Sequence, residues 1–330
     1  MIVDCHAHVI PAAMHTEAVP KDWRPQLAHA DGRQVVSLQG RRLTSVTGEF
    51  CDVAVMLEQA ATADVSHLLI SPWILLVPVD ADPAIAARIC RAQNESLAEA
   101  AAAHDGRVRA LGVVPLQDPD RSVAELEHLM GLPGLCGVEV PASVAGSYLG
   151  DQRFAPFWEA AAATGALVFI HPTTTGLGVP ALHSHYLWNS VGNPLETTIA
   201  AAQLVTNGVL ERYPGLIVLL AHGGGALLTL RGRLRRAAAV RPEARADCER
   251  DVDDLLRLFY FDSLTHDPAV LAGLVAFAGA GHVLLGSDRP FDMGSDRPAD
   301  EIRSLGLSAA AEHQILGGNA AALLAMKPDE

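Results

Sequence analysis

The chain reads as α/β, a single (β/α)8 TIM barrel, on three observations. Eight short apolar runs alternate with helix-forming stretches, the pattern of parallel strands joined by crossover helices. The length of 330 residues suits one such barrel and is long for a β-sandwich. Four of the runs carry metal-competent side chains: His6 and His8 within Asp4-Cys5-His6-Ala7-His8, then His171, His222 and Asp288 ending three later runs. In a parallel barrel the C-terminal strand ends meet on one face, where active sites are built.

The first strand covers 2–10, where alternation predicts Asp4, His6 and His8 on one face and Val3, Cys5 and Ala7 on the other. Residues 11–50 break the pattern with scattered Pro and Gly. Two runs there, 34–38 and 43–46, flank Gln39-Gly40-Arg41-Arg42 and predict a small β-hairpin insertion beside the barrel mouth. A helix over 52–63 leads to the second strand, 66–71. Helices over 83–103, 121–130 and 151–164 lead to strands 108–115, 136–141 and 166–171. A Gly/Pro-marked loop, 172–194, precedes a helix over 195–207 and strand 216–222. A helix through Arg236, strand 259–263, a helix over 268–277 and strand 282–288 complete the barrel. Residues 299–330 form a C-terminal extension, helical over 299–326. No repeat of solenoid period and no low-complexity linker divides residues 1–330, so one domain is expected.

Half of the residues are hydrophobic and 19% are charged, enough for a large core. A formal net charge of −14 argues against nonspecific nucleic-acid binding but not against an anionic substrate, because a metal and a few arginines set the local field. Five scattered cysteines without metal-type spacing suit a reducing compartment. The chain enters a strand at once with no secretory pattern, and a cytoplasmic location is expected. The run 269–286 is apolar enough to resemble a membrane span, but His282 and its glycines split it into helix, turn and strand; no membrane partner is expected.

One His-x-His is a weak signal, since His183-Ser184-His185 repeats it in a loop-like segment. The strand-end setting gives it weight. His6, His8, His171 and Asp288 would face a common centre and offer three neutral imidazoles and one carboxylate, with room left for a substrate oxygen. That donor set favours one Zn2+ and permits Mn2+ or iron. His222, before Gly223-Gly224-Gly225, reads as an acid/base beside the metal rather than a ligand. Asp288 counts as both ligand and catalytic candidate. Glu139 and Asp262 read as hydrogen-bond partners behind the ligands, a second-metal ligand being the alternative for Glu139. Arg289, after Asp288, Trp73, after the second strand, and Trp188, in the 172–194 loop, are substrate-binding candidates. The arginines between Arg231 and Arg245 read as a solvated or subunit-contacting face.

The segments Val3-Asp4-Cys5-His6-Ala7-His8, Val114-Pro115-Leu116-Gln117-Asp118, Val168-Phe169-Ile170-His171-Pro172, Ala221-His222-Gly223-Gly224-Gly225 and Leu285-Gly286-Ser287-Asp288-Arg289-Pro290-Phe291 span the chain. Together they resemble the amidohydrolase superfamily and, within it, the 2-amino-3-carboxymuconate-6-semialdehyde decarboxylase branch. The resemblance implies one zinc on His6, His8, His171 and Asp288, with His222 as acid/base. It also implies a homodimer in which Arg233, on the helix after the Gly-rich turn, reaches the neighbouring site's substrate carboxylate. The branch's second carboxylate-binding arginine has no counterpart in 44–49, where Arg41 or Arg42 stands nearest. Arg289 replaces an aromatic residue usual after the metal Asp. The expected activity is non-oxidative decarboxylation of an unsaturated or hydroxyaromatic acid without an organic cofactor. The alternative is a hydrolase of a lactone or amide that uses the same metal.

Overall fold

A computed structural model describes residues 1–30, 33–173 and 176–326. Eight parallel strands form one sheet in sequence order: β1 (Val3–Val9), β5 (His67–Pro72), β6 (Val108–Gly112), β7 (Leu135–Pro141), β10 (Leu167–His171), β11 (Ile217–Leu220), β12 (Tyr260–Asp262) and β13 (Val283–Leu284). The sheet closes on itself. Beyond β13 the Asp288 N–H donates to the His6 carbonyl at 2.7 Å, and the Cys5 and His8 amides donate to Leu285 and Arg289 carbonyls at 2.8 and 2.7 Å.

The crossover helices start where the sequence supplies a cap. Asp82 before Pro83, Asp118 before Pro119 and Asp267 before Pro268 each accept backbone N–H groups at the head of α2 (Pro83–Ala102), α3 (Pro119–Met130) and α9 (Pro268–Ala278). A carboxylate at the cap meets the exposed amides of the first turn, and proline sits where no N–H is needed. Asp52 caps α1 (Val53–Ala61) in the same way. No helix among the described residues is long and apolar enough to cross a membrane, and 269–286 divides into most of α9, a turn and β13.

The expected face alternation of the first strand is corrected by a bulge. The pairing of β1 with β5 slips between Asp4 and Ala7, where β1 carries one extra residue. Side chains before and after the slip therefore change parity. Val3 and Cys5 pack with Leu69, Leu111, Phe169 and Leu219 inside the barrel, whereas Ala7 and Val9 pack outward with Val53, Met56 and Leu57 of α1. His6 and His8 point inward above Cys5, at the C-terminal mouth. Ala320 and Leu324, on and just beyond α12 (Asn319–Leu323), join the interior cluster at the opposite end.

The expected hairpin is present as β3 (Arg33–Leu38) and β4 (Arg41–Val46), and β2 (Gln26–Ala30) adds a third antiparallel strand. Val36, Leu38 and Val46 pack with Ile10, Phe50, Trp73 and Ile74, which seats this sheet over the mouth.

Candidate metal centre and active site

His6 and His8 bring their Nε2 atoms to 3.1 Å of each other. His171, ending β10, and Asp288, beyond β13, join them: one ligand atom from each of the four buried residues lies within 4.8 Å of the others. The other nitrogen of each imidazole is held. His6 Nδ1 meets Asp262 Oδ2 at 2.6 Å, His171 Nδ1 meets the Pro172 carbonyl at 2.9 Å, and His8 Nδ1 faces the Ser71 hydroxyl and the Pro72 carbonyl at 3.3 and 3.4 Å. A ring that donates through Nδ1 presents a bare lone pair at Nε2. Three such lone pairs and a carboxylate oxygen aimed at one point fit a divalent cation with N/O preference. His171 Nε2 and Asp288 Oδ1 are buried with no hydrogen-bond partner among the described residues, an arrangement a cation would satisfy.

The fields around these groups are strong. Burial alone would raise the Asp288 pKa, but the charge on His6 and the neighbouring imidazoles of His8 and His222 hold it well below the usual carboxylate range. Burial likewise works against charge on His6, yet Asp288 and Asp262 together lift it to about 10. His171 is driven well below its ordinary value by burial and then by the neighbouring imidazoles, and burial lowers His8. A neutral His171 is the form that ligates.

Asp262 organises more than His6. Its carboxylate accepts from the backbone N–H of His222 at 2.8 Å, of Gly223 at 2.7 Å and of Leu264 at 3.2 Å. These bonds pin the turn after β11 to the end of β12. His222 and Asp288 both sit at positive φ, 56° and 59°, a conformation that side chains other than glycine adopt at a cost and that concentrates at functional sites. His222 Nε2 stands 3.5 Å from Asp288 Oδ2. Glu139 lies behind the ligands, 4.0 Å from His8 Nδ1 and 3.8 Å from His171 Nδ1, facing the nitrogens turned away from the centre. Burial pushes its pKa up to about 8.

A cavity of about 200 Å³ opens above the centre, lined by His171, His222 and Asp288, with Arg41, Trp73 and Trp188 among its walls. Arg41 opens β4 of the insertion sheet and Trp73 directly follows β5. One expected substrate residue lies elsewhere. Arg289 is directed away, its guanidinium donating to the Gln59 and Asp296 carbonyls at 3.3 and 2.9 Å beside a separate cavity. The left-handed turn at Asp288 swings the next side chain to the outer side of the strand end. Arg233 is exposed on α7 (Leu227–Val240) and lines no cavity around its own metal centre.

The sequence did not single out Asn193, Tyr186 or Phe291 in the cavity wall, nor the Asp4 carboxylate that accepts from the Ser287 hydroxyl and amide and locks the Asp288 turn. An acidic residue two positions before the His-x-His was the available signal for the last of these.

The barrel and the His/His/His/Asp cluster define a metal-dependent enzyme class, and the whole-chain comparison agrees: a family model described as amidohydrolase matches residues 3–326, so the chain belongs to the amidohydrolase family. It is 29% identical to 2-amino-3-carboxymuconate-6-semialdehyde decarboxylase of Dictyostelium discoideum, over 96% of this chain and 92% of the relative. It is 32% identical to a 6-methylsalicylic acid decarboxylase of Aspergillus aculeatus, over 70% of this chain and 72% of the relative. Its fold matches a manganese-bound dihydroxybenzoic acid decarboxylase of Polaromonas sp., with a TM-score of 0.77, 23% identity and coverage of 98% and 96% of the two chains.

Proposed function

We propose that this protein is a metal-dependent, non-oxidative decarboxylase of an aromatic or unsaturated carboxylic acid. The observation that carries this reading is the placement of His222 beside a centre of three imidazole Nε2 atoms and one carboxylate, within a cavity walled by Trp73, Trp188 and Phe291. Relatives named as decarboxylases of such acids support it.

A divalent cation on His6, His8, His171 and Asp288 would supply positive charge to hold the substrate's oxygens; the nitrogen-rich donor set favours zinc, with manganese as the alternative. The aromatic walls orient a flat substrate by stacking and keep water away from the reacting carbon. Arg41 at the rim attracts the carboxylate in a chain of net charge −14. The C–C bond breaks to release CO2, and the electron pair left on carbon takes a proton from the protonated imidazole of His222. Solvent then reprotonates His222. Asp262 holds the His222 backbone and fixes where that proton is delivered. The five cysteines are free thiols, which supports a reducing, cytoplasmic setting. The exposed basic face of α7 supports a homodimer in which Arg233 serves the partner's substrate.

Metal-loaded protein offered a panel of hydroxyaromatic and unsaturated acids should evolve CO2 with one proton gained at carbon, incorporating deuterium from heavy water. Ring opening of lactones or cleavage of amides, with no CO2 from any acid, would replace this reading with a hydrolase.

A further inference from the structure

The cavity around the metal centre has two recesses. One is the aromatic space under Trp73 and Trp188. The second, of about 310 Å³, lies toward Thr265 and His266 after β12. His222, Asp288 and Asn193 line both, so Asn193 stands where the recesses meet and shares both walls with the proposed proton donor.

Asn193 is 4% exposed, and its side-chain Oδ1 is buried with no hydrogen-bond partner among the described residues. A buried amide oxygen left unpaired costs free energy, so a residue kept in this state in a cavity wall awaits a donor. The residue is also rigidly mounted. It opens α5 (Asn193–Thr206), whose first two turns are clamped on three sides. The Ala226 N–H donates to Thr198 Oγ1 at 2.8 Å, and the Thr173 N–H donates to Glu196 Oε2 at 2.7 Å. On the third side, Gly225 lets the Pro194 carbonyl approach so closely that any Cβ there would lie 2.0 Å from it. A site that offers a fixed buried acceptor discriminates against analogues lacking the matching donor, because the acceptor is then left unpaired.

We infer that Asn193 is a specificity-determining residue whose carboxamide oxygen accepts a hydrogen bond from a hydroxyl or amino substituent of the acid bound at the metal centre. The inference rests on the decarboxylase reading and narrows its substrate class to acids bearing a hydrogen-bond donor on the ring or chain.

The test measures equilibrium binding to the metal-loaded protein by calorimetry, apart from turnover. Benzoate, the three monohydroxybenzoates and their methyl ethers are the probes. The wild type should bind one hydroxybenzoate about tenfold to a hundredfold more tightly than benzoate or the corresponding ether, the usual worth of a hydrogen bond to an otherwise unpaired buried acceptor. Asn193→Leu should collapse that ratio toward one while keeping metal content. Asn193→Asp, which keeps an acceptor at the position, should retain a preference for the hydroxyl compound. No preference in the wild type, or a ratio unchanged in Asn193→Leu, would overturn the inference and leave the oxygen to water. CO2 release assayed on the same panel separates the two readings. Discrimination through Asn193 without CO2 from any acid would sink the decarboxylase and keep the subsite, and CO2 release with an unchanged ratio would do the reverse.

Discussion

At the scale of single residues, the centre depends on which nitrogen each histidine offers. The Nδ1 atoms are committed to Asp262, to the Ser71–Pro72 edge and to the Pro172 carbonyl, so the Nε2 atoms converge. His171→Ala or Asp288→Ala removes one of four donors and should abolish stoichiometric metal binding, measured by elemental analysis after dialysis. Full occupancy in both variants would dismiss the site. His222 presents a different case, because it faces Asp288 from 3.5 Å without belonging to the four-donor cluster. His222→Ala should keep the metal and lose roughly two to four orders of magnitude in kcat, the usual contribution of a positioned acid/base. Parallel loss of metal would make it a ligand. Asp262 acts through others: it orients His6 and anchors the His222 turn. Asp262→Asn keeps the shape but weakens the hold on His6, and metal affinity should fall about tenfold to a hundredfold, as read by competition with a chelator.

At the scale of elements, the apolar runs made the eight strands legible because parallel barrel strands are buried on both faces and need no alternation. The Asp-Pro pairs start α2, α3 and α9 through local caps, and the expected start at 121 fell two residues inside α3 because the cap at Asp118 was not used. What escaped was non-local. β2 is largely exposed, with Gln26 to His29 facing solvent, so Gln26–Ala30 shows no apolar alternation and exists by pairing with β3. The bulge in β1 is invisible because it depends on the register against β5, and it reverses the face on which Cys5 lies relative to His6. The four clustered donors were legible from their strand ends, whereas the outward course of Arg289 follows from the positive φ of Asp288, which no side-chain pattern announces. Asn193 was hidden because it fell inside the expected 172–194 loop, whereas the helical turn Trp188–Gly192 in fact runs straight into α5 there. The Gly225 turn offers a test at this scale. Its φ of +65° and the Pro194 carbonyl in the path of any Cβ predict that Gly225→Ala costs about 2 kcal/mol or more. A thermal midpoint lowered by about 3 °C or more should follow. An unchanged midpoint would show that the clamp on α5 can yield.

For the whole molecule, the relevant fact is an acidic chain carrying a basic helix. Net charge is −14, yet α7 presents Arg231, Arg233, Arg235 and Arg236 within six residues. Arg231 and Arg235 pair with Asp253 at 3.4 and 3.0 Å, while Arg233 is exposed with no ion-pair partner among the described residues. A guanidinium in water gains little by itself, but at a subunit interface it recognises a carboxylate bidentately. Because Arg233 lines no cavity around its own metal centre, its proposed target is a carboxylate bound in a second copy. If each site takes His222 from one subunit and Arg233 from the other, Arg233→Ala and His222→Ala homodimers should both be nearly inactive. Mixing them under exchange conditions then creates heterodimers in which one of the two sites holds both wild-type residues. Statistical exchange makes about half of the dimers mixed, so activity should recover to roughly a quarter of wild type. Differently tagged subunits allow the mixed dimers to be isolated and counted. Isolated heterodimers without regained CO2 release would refute the shared site, and a monomer in solution with full activity would refute the dimer itself.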